Sequence, residues 1–221
     1  LAAVQLGLRA LGLVSPDLAA RAAHALFVTP RRHARPEREQ ALLTAATAFE
    51  FVAGDLVLRA WRWGTGAPVL LVHGWEGRGS QLGEFARPLV EAGFSAVTFD
   101  APAHGDSPGR VAGPREFAAA MEALEFWIGP IHAIVAHSMG AVATPLALAG
   151  RMSPARVVLI APGTTPRTAT QTLADMLDLP PSVLHRTRER IARAAGRTWA
   201  ELESADPFSD LTAPALIIHD R

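Results

Sequence analysis

The sequence contains no cysteine and no lysine, and its formal net charge is zero over 221 residues. Without cysteine the chain forms no disulfide and offers no thiolate to a metal, so nothing points to an oxidising compartment. Without lysine, Schiff-base catalysis and phosphate binding by a P-loop lysine are both excluded. A neutral chain also has no general attraction to nucleic acid or to an anionic membrane surface. We therefore expect a cytoplasmic protein without a nucleic-acid partner.

All 21 basic residues are arginine, which together with abundant alanine is typical of a GC-rich bacterial genome. The N-terminal apolar residues have helical spacing, but Arg9 and Pro16 interrupt them, so this region is too broken to span a bilayer. We expect a helix packed on the domain, with a helix on a membrane surface as the alternative. Because the sequence starts at Leu1, an upstream targeting segment is left open.

Residues Phe126–Gly150 carry no charged side chain, and could be mistaken for a transmembrane segment. Gly129, Pro130, His132 and Ser138 argue against that interpretation. We predict a loop, a strand buried on both faces, a tight turn and a buried helix.

Short apolar runs alternate with helical segments along most of the chain. The predicted strands are 68–74, 95–102, 131–138, 156–162 and 214–220, and the helices between them are near 80–92, 114–127 and 139–149. A hairpin is predicted before them in "FEFVAGDLVLRAWRW", with its turn at Gly54 and Asp55. This alternation predicts a mostly parallel α/β sheet with flanking helices, in which ligands bind at the carboxyl ends of the strands.

Three regions are expected around this sheet. Residues 1–48 form an N-terminal helical extension, 49–162 and 214–221 form the α/β core, and 163–213 form a helical cap or lid before the last strand. The cap is predicted because Leu173, Met176 and Leu177 recur at helical spacing. Its arginines are interpreted as the solvated face of an amphipathic helix, with selection of an anionic substrate as the alternative.

The stretch "AHSMG" is a variant of the G-x-S-x-G nucleophile elbow, with Ala136 in place of the first glycine. The elbow needs a sharp turn from strand to helix, so its neighbours must be small. Ser138 is therefore the candidate nucleophile. Met139 begins the following helix, so its backbone N–H is free for an oxyanion.

A second donor is expected from "LVHGWEG", where the chain turns at Gly74 and leaves the Trp75 N–H free. A third turn, "FDAPAHGDS", follows the next strand, and Asp100, Asp106 and Ser107 are predicted to stabilise it. His73 and His104 are interpreted as turn-stabilising residues rather than as bases. The predicted substrate pocket comprises His73, Gly74, Glu76 and His137.

In this order, "HGW", "FDAPAHGDS", "AHSMG" and "PALIIHD" resemble motifs of the α/β-hydrolase superfamily, over about Phe49 to Arg221. The resemblance implies acyl transfer, with Ser138 as nucleophile and the N–H groups of Trp75 and Met139 as oxyanion hole. It also implies an acid and a histidine later in the chain, both expected beyond Arg221. Asp220 is the alternative acid, and the 221 residues alone are expected to be inactive.

We thus expect a serine hydrolase that cleaves an ester or related acyl bond of a small molecule. A thioesterase, a peptidase or a perhydrolase would use the same residues, and a non-catalytic receptor or scaffold is the alternative from another class. The sequence has no HExxH motif and no GxGxxG after the first parallel strand, so neither a metal nor a cofactor is predicted. The sequence makes no prediction of the oligomeric state.

Overall fold

The computed structural model describes residues 1–163, 165–206, 208–209 and 211–220. The chain divides into two compact units. One contains residues 1–29 and 165–206, and is helical. The other contains residues 30–163 together with the described residues from 208 onward, and holds the sheet.

Within the described part of the chain, seven strands form one sheet. They are β1 Thr47–Ala53, β2 Leu56–Trp63, β3 Ala67–Val72, β4 Phe94–Phe99, β5 Ala133–His137, β6 Arg156–Ile160 and β7 Ala215–Ile218, in the spatial order β1-β2-β4-β3-β5-β6-β7. The strands β1 and β2 pair antiparallel, as do β2 and β4, whereas all pairs from β4 through β7 are parallel. The prediction of a mostly parallel α/β sheet is confirmed.

The predicted hairpin is also confirmed. Ala53 pairs with Leu56, so the connection has two residues, and Gly54 takes a left-handed φ of 58° that favours glycine. The predicted parallel strands are all present, but each ends one to three residues earlier than the apolar run suggests. The last residues of each run leave the sheet and form the loops at its carboxyl edge.

Helices of the sheet-containing unit follow the predicted alternation. They are α3 Glu37–Thr44, α4 Ala86–Glu91, α5 Pro114–Ile128 and α6 Met139–Gly150, with a 3₁₀ helix at Gly79–Phe85. The helix predicted near 80–92 is therefore a 3₁₀ helix continued by the short α4. The main core contains residues of β3, β5, α5 and α6, among them Leu70, Ile134, Phe117 and Ala141. Because β3 is buried over its last four residues, it is apolar without alternation.

The helical unit joins the N-terminus to the segment between β6 and β7. Its helices are α1 Ala2–Val14, α2 Pro16–Val28, α7 Pro166–Leu177, α8 Pro181–Ala194 and α9 Trp199–Ser204. Leu8 packs with Leu173 and Leu177, and Val183 packs with two alanines of α2. Arg9 and Asp178 form an ion pair of 2.9 Å. The N-terminal helices thus share a core with the helices of the insertion.

The arginines of α8 are partly engaged within this helical unit. Arg186 pairs with Asp17 at 2.8 Å, and the Arg188 guanidinium lies 5.3 Å from the centroid of the Trp199 ring. The interpretation of these arginines as only the solvated face of an amphipathic helix is therefore incomplete, because two of them have partners within the unit. The predictions that residues 163–213 cover the strand ends, and that residues 1–48 form an extension, stay predictions. Among the described helices, none is both long and apolar enough to cross a bilayer.

Gly66, in the turn between β2 and β3, lies so close to another segment of backbone that a side chain there would displace one of the two. A Cβ at Gly66 would overlap the backbone carbonyl of Gly93. We predict that Gly66→Ala lowers the free energy of unfolding by about 2 kcal/mol, the usual cost of forcing extra atoms into a packed site. Gly7→Ala is the control, since nothing lies within 4 Å of a Cβ there. Urea unfolding checks both, and equal stability of the two variants would contradict the prediction.

Candidate active site

Ser138 occupies the corner between β5 and α6, as the sequence predicts. Its backbone has φ 51° and ψ −113°, a conformation that residues other than glycine rarely adopt. The Ser138 N–H donates to the carbonyl of Ile160 at 3.0 Å, and its own carbonyl accepts from the Val142 N–H at 3.1 Å. The strained turn is thus held by the neighbouring strand on one side and by the helix on the other. The side chain is partly exposed.

Two glycines allow the backbone to close around this corner. A Cβ at Gly140 would lie 2.7 Å from the carbonyl oxygen of His73 and 2.8 Å from that of Val72. A Cβ at Gly74 would lie 2.9 Å from the Cβ of Ser138. All three distances are too short for a real Cβ, so the first turn of α6 and the loop after β3 require glycine at these positions. The loop after β3 consequently passes directly beside the candidate nucleophile.

The two predicted oxyanion donors lie on either side of this contact. Met139 is the first residue of α6, so its N–H has no acceptor inside the helix. Trp75 follows Gly74, and within the described residues neither N–H donates a hydrogen bond to a protein acceptor. The positive end of the helix dipole adds to the attraction for negative charge. A pair of unused donors beside a serine is the arrangement that a developing oxyanion needs.

His73 joins the loops after β3 and β4. Its Nε2 accepts from the Ala101 N–H at 3.0 Å, which leaves the ring proton on Nδ1, and Nδ1 donates to the Gly74 carbonyl at 2.7 Å. Burial lowers the pKa of His73 to about 3, and the nearby His104 adds to the shift. The ring is only 1% exposed. His73 is predicted from the sequence to line the substrate pocket, but its ring is buried and neutral and stabilises the loops.

His104 lies beside it in the same aromatic cluster. Its Nδ1 donates to the Pro102 carbonyl at 2.9 Å, and its ring contacts those of His73, Trp75 and Phe117 with centroids 5.1 to 5.4 Å apart. Burial lowers the pKa of His104. Its Nε2 has no hydrogen-bond partner among the described residues. Both histidines therefore stabilise the two loops, as predicted.

The turn after β4 is built around a buried carboxylate. Asp100 is 0% exposed and accepts from the N–H groups of Gly79 at 2.7 Å and Asp106 at 2.8 Å. Burial raises the pKa of Asp100, and these donors together with the Arg35 guanidinium oppose the shift. Ser107 Oγ donates to the Asp100 carbonyl at 2.6 Å. The predicted structural role is confirmed for Asp100 and Ser107, whereas the Asp106 carboxylate pairs with the Arg35 guanidinium at 2.6 Å.

A base for Ser138 is not found among the described residues. No histidine or carboxylate there is hydrogen-bonded to its Oγ. The adjacent His137 is exposed at the end of β5. Asp220, the alternative acid, is 93% exposed and lies 3.0 Å from Nδ1 of its neighbour His219. The roles of Asp220 and of residues beyond Arg221 stay predictions.

Glu76 is held by protein side chains. Its carboxylate accepts from the Arg31 N–H at 3.1 Å and from the Arg31 guanidinium at 2.9 to 3.2 Å. These hydrogen bonds lower the pKa of Glu76. The roles of Arg31 and Arg35 were not predicted from the sequence, although both lie in the arginine-rich stretch "TPRRHARPER".

A sequence model described as "Alpha/beta hydrolase family" matches residues 69–219, about two thirds of the chain. The chain belongs to this α/β-hydrolase family. The search of curated proteins found no match. The resemblance inferred from the four motifs is therefore confirmed at the level of the family.

Solved structures agree with this α/β-hydrolase fold. An esterase from Pyrococcus furiosus aligns with a TM-score of 0.60 at 19% identity, over 86% of this chain and 76% of its own. A protein named DcsB, solved with a substrate analogue, aligns at 0.53 and 17% identity over 69% and 55%. An epoxide hydrolase from Vigna radiata aligns at 0.51 and 19% identity over 59% and 47%. The aligned part thus spans about half the length of DcsB and of the epoxide hydrolase. At these identities the similarity shows a shared fold only.

The buried His73 makes stability depend on pH. An unfolded chain binds a proton at His73 near pH 6.5, whereas the folded protein does so only near pH 3, so the free energy of unfolding falls as the pH decreases between these values. At pH 5 we expect a loss of about 2 kcal/mol from this group relative to pH 7.5. His104 acts in the same direction. Urea unfolding at both pH values measures the change.

His73→Asn tests the assignment, because the amide can still donate to the Gly74 carbonyl but does not titrate. This variant should be less stable at pH 7.5, since the Ala101 N–H loses its acceptor, and should show a smaller decrease at pH 5. The exposed His185 provides the control variant His185→Asn. An unchanged pH dependence in His73→Asn would refute the role of His73.

Proposed function

We propose that this α/β-hydrolase is a serine hydrolase that cleaves an ester or related acyl bond through an acyl-enzyme on Ser138. One observation carries the proposal. Ser138 takes a positive-φ backbone conformation at a strand-to-helix corner, beside two backbone N–H groups that have no acceptor among the described residues. Strain of this kind costs roughly 1 to 3 kcal/mol and is concentrated at functional sites. A purely structural serine would not require it.

The proposed chemistry follows from this geometry. Ser138 Oγ forms a bond to the substrate carbonyl carbon as its proton passes to a general base, and the carbonyl oxygen becomes an oxyanion. The N–H groups of Trp75 and Met139 hold that oxygen. Collapse of the intermediate expels the leaving group, which takes the proton from the base, and water then hydrolyses the acyl-enzyme.

Among the described residues, no histidine or carboxylate is hydrogen-bonded to Ser138 Oγ. We propose a histidine that follows β7 in the chain, oriented by Asp220 or by a later carboxylate. In this family the acid and the histidine follow the nucleophile in that order. The full-length protein is therefore the form in which activity is expected, and the 221 residues alone are expected to react poorly.

A small-molecule ester is the substrate class that we favour. A thioesterase, a peptidase or a perhydrolase would use the same nucleophile and the same oxyanion donors. The serine at this corner argues against dehalogenase chemistry, which would require an aspartate there. A non-catalytic receptor or scaffold is the alternative from another class, and the experiment below separates it from an enzyme.

We predict that a fluorophosphonate probe labels Ser138 in the full-length protein and that Ser138→Ala removes the labelling. Ester hydrolysis should fall by about 10⁴-fold or more in the same variant, because loss of the nucleophile leaves only the contribution of binding and of the oxyanion donors. Ser153→Ala, at an exposed serine in the loop after α6, is the control and should label normally. Labelling is read by mass spectrometry of the modified peptide. An intact, folded chain that resists the probe would favour the receptor or scaffold.

A further inference from the structure

A short segment before the hairpin contacts both loops that border Ser138. This segment, Pro30–Glu39, is called the connector here, and it lies outside the part of the chain that matches the family. Four of its side chains form hydrogen bonds with the loop after β3, the turn after β4, or both. They are Arg31, Arg32, Arg35 and Glu39.

Arg31 makes the contact nearest to the candidate oxyanion donors. Its guanidinium binds the Glu76 carboxylate with two nitrogens, Nε at 3.0 and 3.2 Å and Nη2 at 2.9 Å. The Arg31 backbone N–H adds a third donor at 3.1 Å. His33 Nε2 lies 3.7 Å from the same carboxylate. A two-pronged contact of this kind restricts orientation as well as distance, which a single point charge does not do.

The carboxylate that Arg31 holds belongs to a strained residue. The Gly77 N–H donates to the Gly74 carbonyl at 3.1 Å, which closes a four-residue turn with Trp75 and Glu76 at its centre. Glu76 has a φ of 54°, and the third position of a turn with positive φ normally favours glycine or asparagine. A glutamate here costs conformational energy that its side-chain contacts must offset. The Arg31 contact is therefore one of the contacts that stabilise this backbone conformation.

This conformation matters because Trp75 and Glu76 are neighbours in the same turn. The Trp75 N–H lies in the same peptide plane as the Gly74 carbonyl, which accepts from His73 Nδ1 at 2.7 Å and from the Gly77 N–H at 3.1 Å. Rotation about the backbone of Glu76 would move the Gly77 N–H away from that carbonyl, and among the described residues the peptide plane would then be held by His73 alone. A Cβ at Gly74 would lie 2.9 Å from the Cβ of Ser138, so the peptide group between Gly74 and Trp75 lies close to the candidate nucleophile. Arg31 thus contacts Glu76, the residue directly after Trp75, whose N–H needs a defined direction.

The rest of the connector holds the far end of the same loop. Arg78 and Glu39 form a buried pair through two contacts of 2.7 Å, and Ser80 Oγ donates to Glu39 at 2.6 Å. Arg35 Nε donates to Ser80 Oγ at 3.0 Å, and the same guanidinium binds Asp100 and Asp106 of the turn after β4. Since both ends of the loop are anchored, loss of the Arg31 contact should disturb the turn at Trp75 without unfolding the loop as a whole.

We propose that Arg31 is a positioning residue: through the Glu76 carboxylate it holds the turn Gly74–Gly77 so that the Trp75 N–H points at the oxyanion. The catalytic part of this proposal rests on the proposed function of Ser138. The structural part, that Arg31 orders the turn, stands on the contacts alone. The two parts are tested by separate measurements.

The structural part is tested by hydrogen exchange, measured by mass spectrometry on peptides that contain Trp75 to Gly79 in the full-length protein. We expect Arg31→Ala to increase exchange in these peptides, Arg31→Lys to increase it less, and peptides of β3 and α6 to be unaffected. Arg87→Ala is the matched control, because Arg87 and Glu91 form an exposed ion pair of 2.7 Å within α4. Unchanged exchange at Trp75–Gly79 in Arg31→Ala would overturn the proposal, whether or not the protein is an enzyme.

The catalytic part is tested by the rate at which the fluorophosphonate labels Ser138 and by hydrolysis of p-nitrophenyl acetate. Loss of a whole oxyanion donor costs 10²- to 10³-fold in kcat, so a misdirected donor should cost about tenfold in kcat and in the labelling rate, with KM changed less than about twofold. Arg31→Lys should recover part of the loss. A labelling rate and a kcat that match those of the wild type would overturn the positioning role. A wild-type protein that neither labels nor hydrolyses would refute the proposed function instead, and the exchange data would still decide the structural part.

Glu76→Gly supplies a second variant in case Arg31→Ala folds poorly. Glycine accepts the positive φ without side-chain contacts, so adding Arg31→Ala to Glu76→Gly should change neither the exchange nor the labelling rate further. A full additional effect of Arg31→Ala in the Glu76→Gly background would show that Arg31 does not act through Glu76.

Discussion

The close approach of the loop after β3 to the corner between β5 and α6 is the contact on which the candidate site depends. A Cβ at Gly74 would lie 2.9 Å from the Cβ of Ser138, and a Cβ at Gly140 would lie 2.7 Å from the carbonyl oxygen of His73. Ser138 keeps a strained backbone there because the Ile160 carbonyl and the helix α6 hold it from both sides. The same close approach places Gly74 and the start of α6 on either side of Ser138, so the geometry of this corner depends on backbone packing more than on side-chain contacts.

The loops at this edge of the sheet also contain buried charges, and these charges need partners. Asp100 and Glu39 are removed from solvent, and an unpaired carboxylate in such a position would cost several kcal/mol. Arg35 and Arg78 pair with them, while His73 stays neutral and joins the loops by two hydrogen bonds. Much of this pairing comes from the connector, which precedes the sheet in sequence and lies outside the region shared with the family.

Much of the fold could be predicted because it rests on local patterns. Apolar runs predicted the parallel strands, Gly54 and Asp55 predicted the hairpin turn, and small residues around Ser138 predicted the corner. The contacts of Arg31 with Glu76 and of Glu39 with Arg78 were not predicted, since they join residues about forty positions apart. The packing of the N-terminal helices with those of the insertion was missed for the same reason.

The sequence by itself determined the class of fold, the position of the candidate nucleophile and the family, because periodicity, turn residues and ordered motifs are local properties. The tertiary structure decided which groups at the carboxyl edge of the sheet are buried and with which partners they pair. It placed the imidazole of His73 inside the protein as a neutral, Nδ1-protonated ring, and it gave Glu76 a cationic partner. Burial and long-range pairing set the protonation and orientation of a side chain, and both arise only when distant segments pack together.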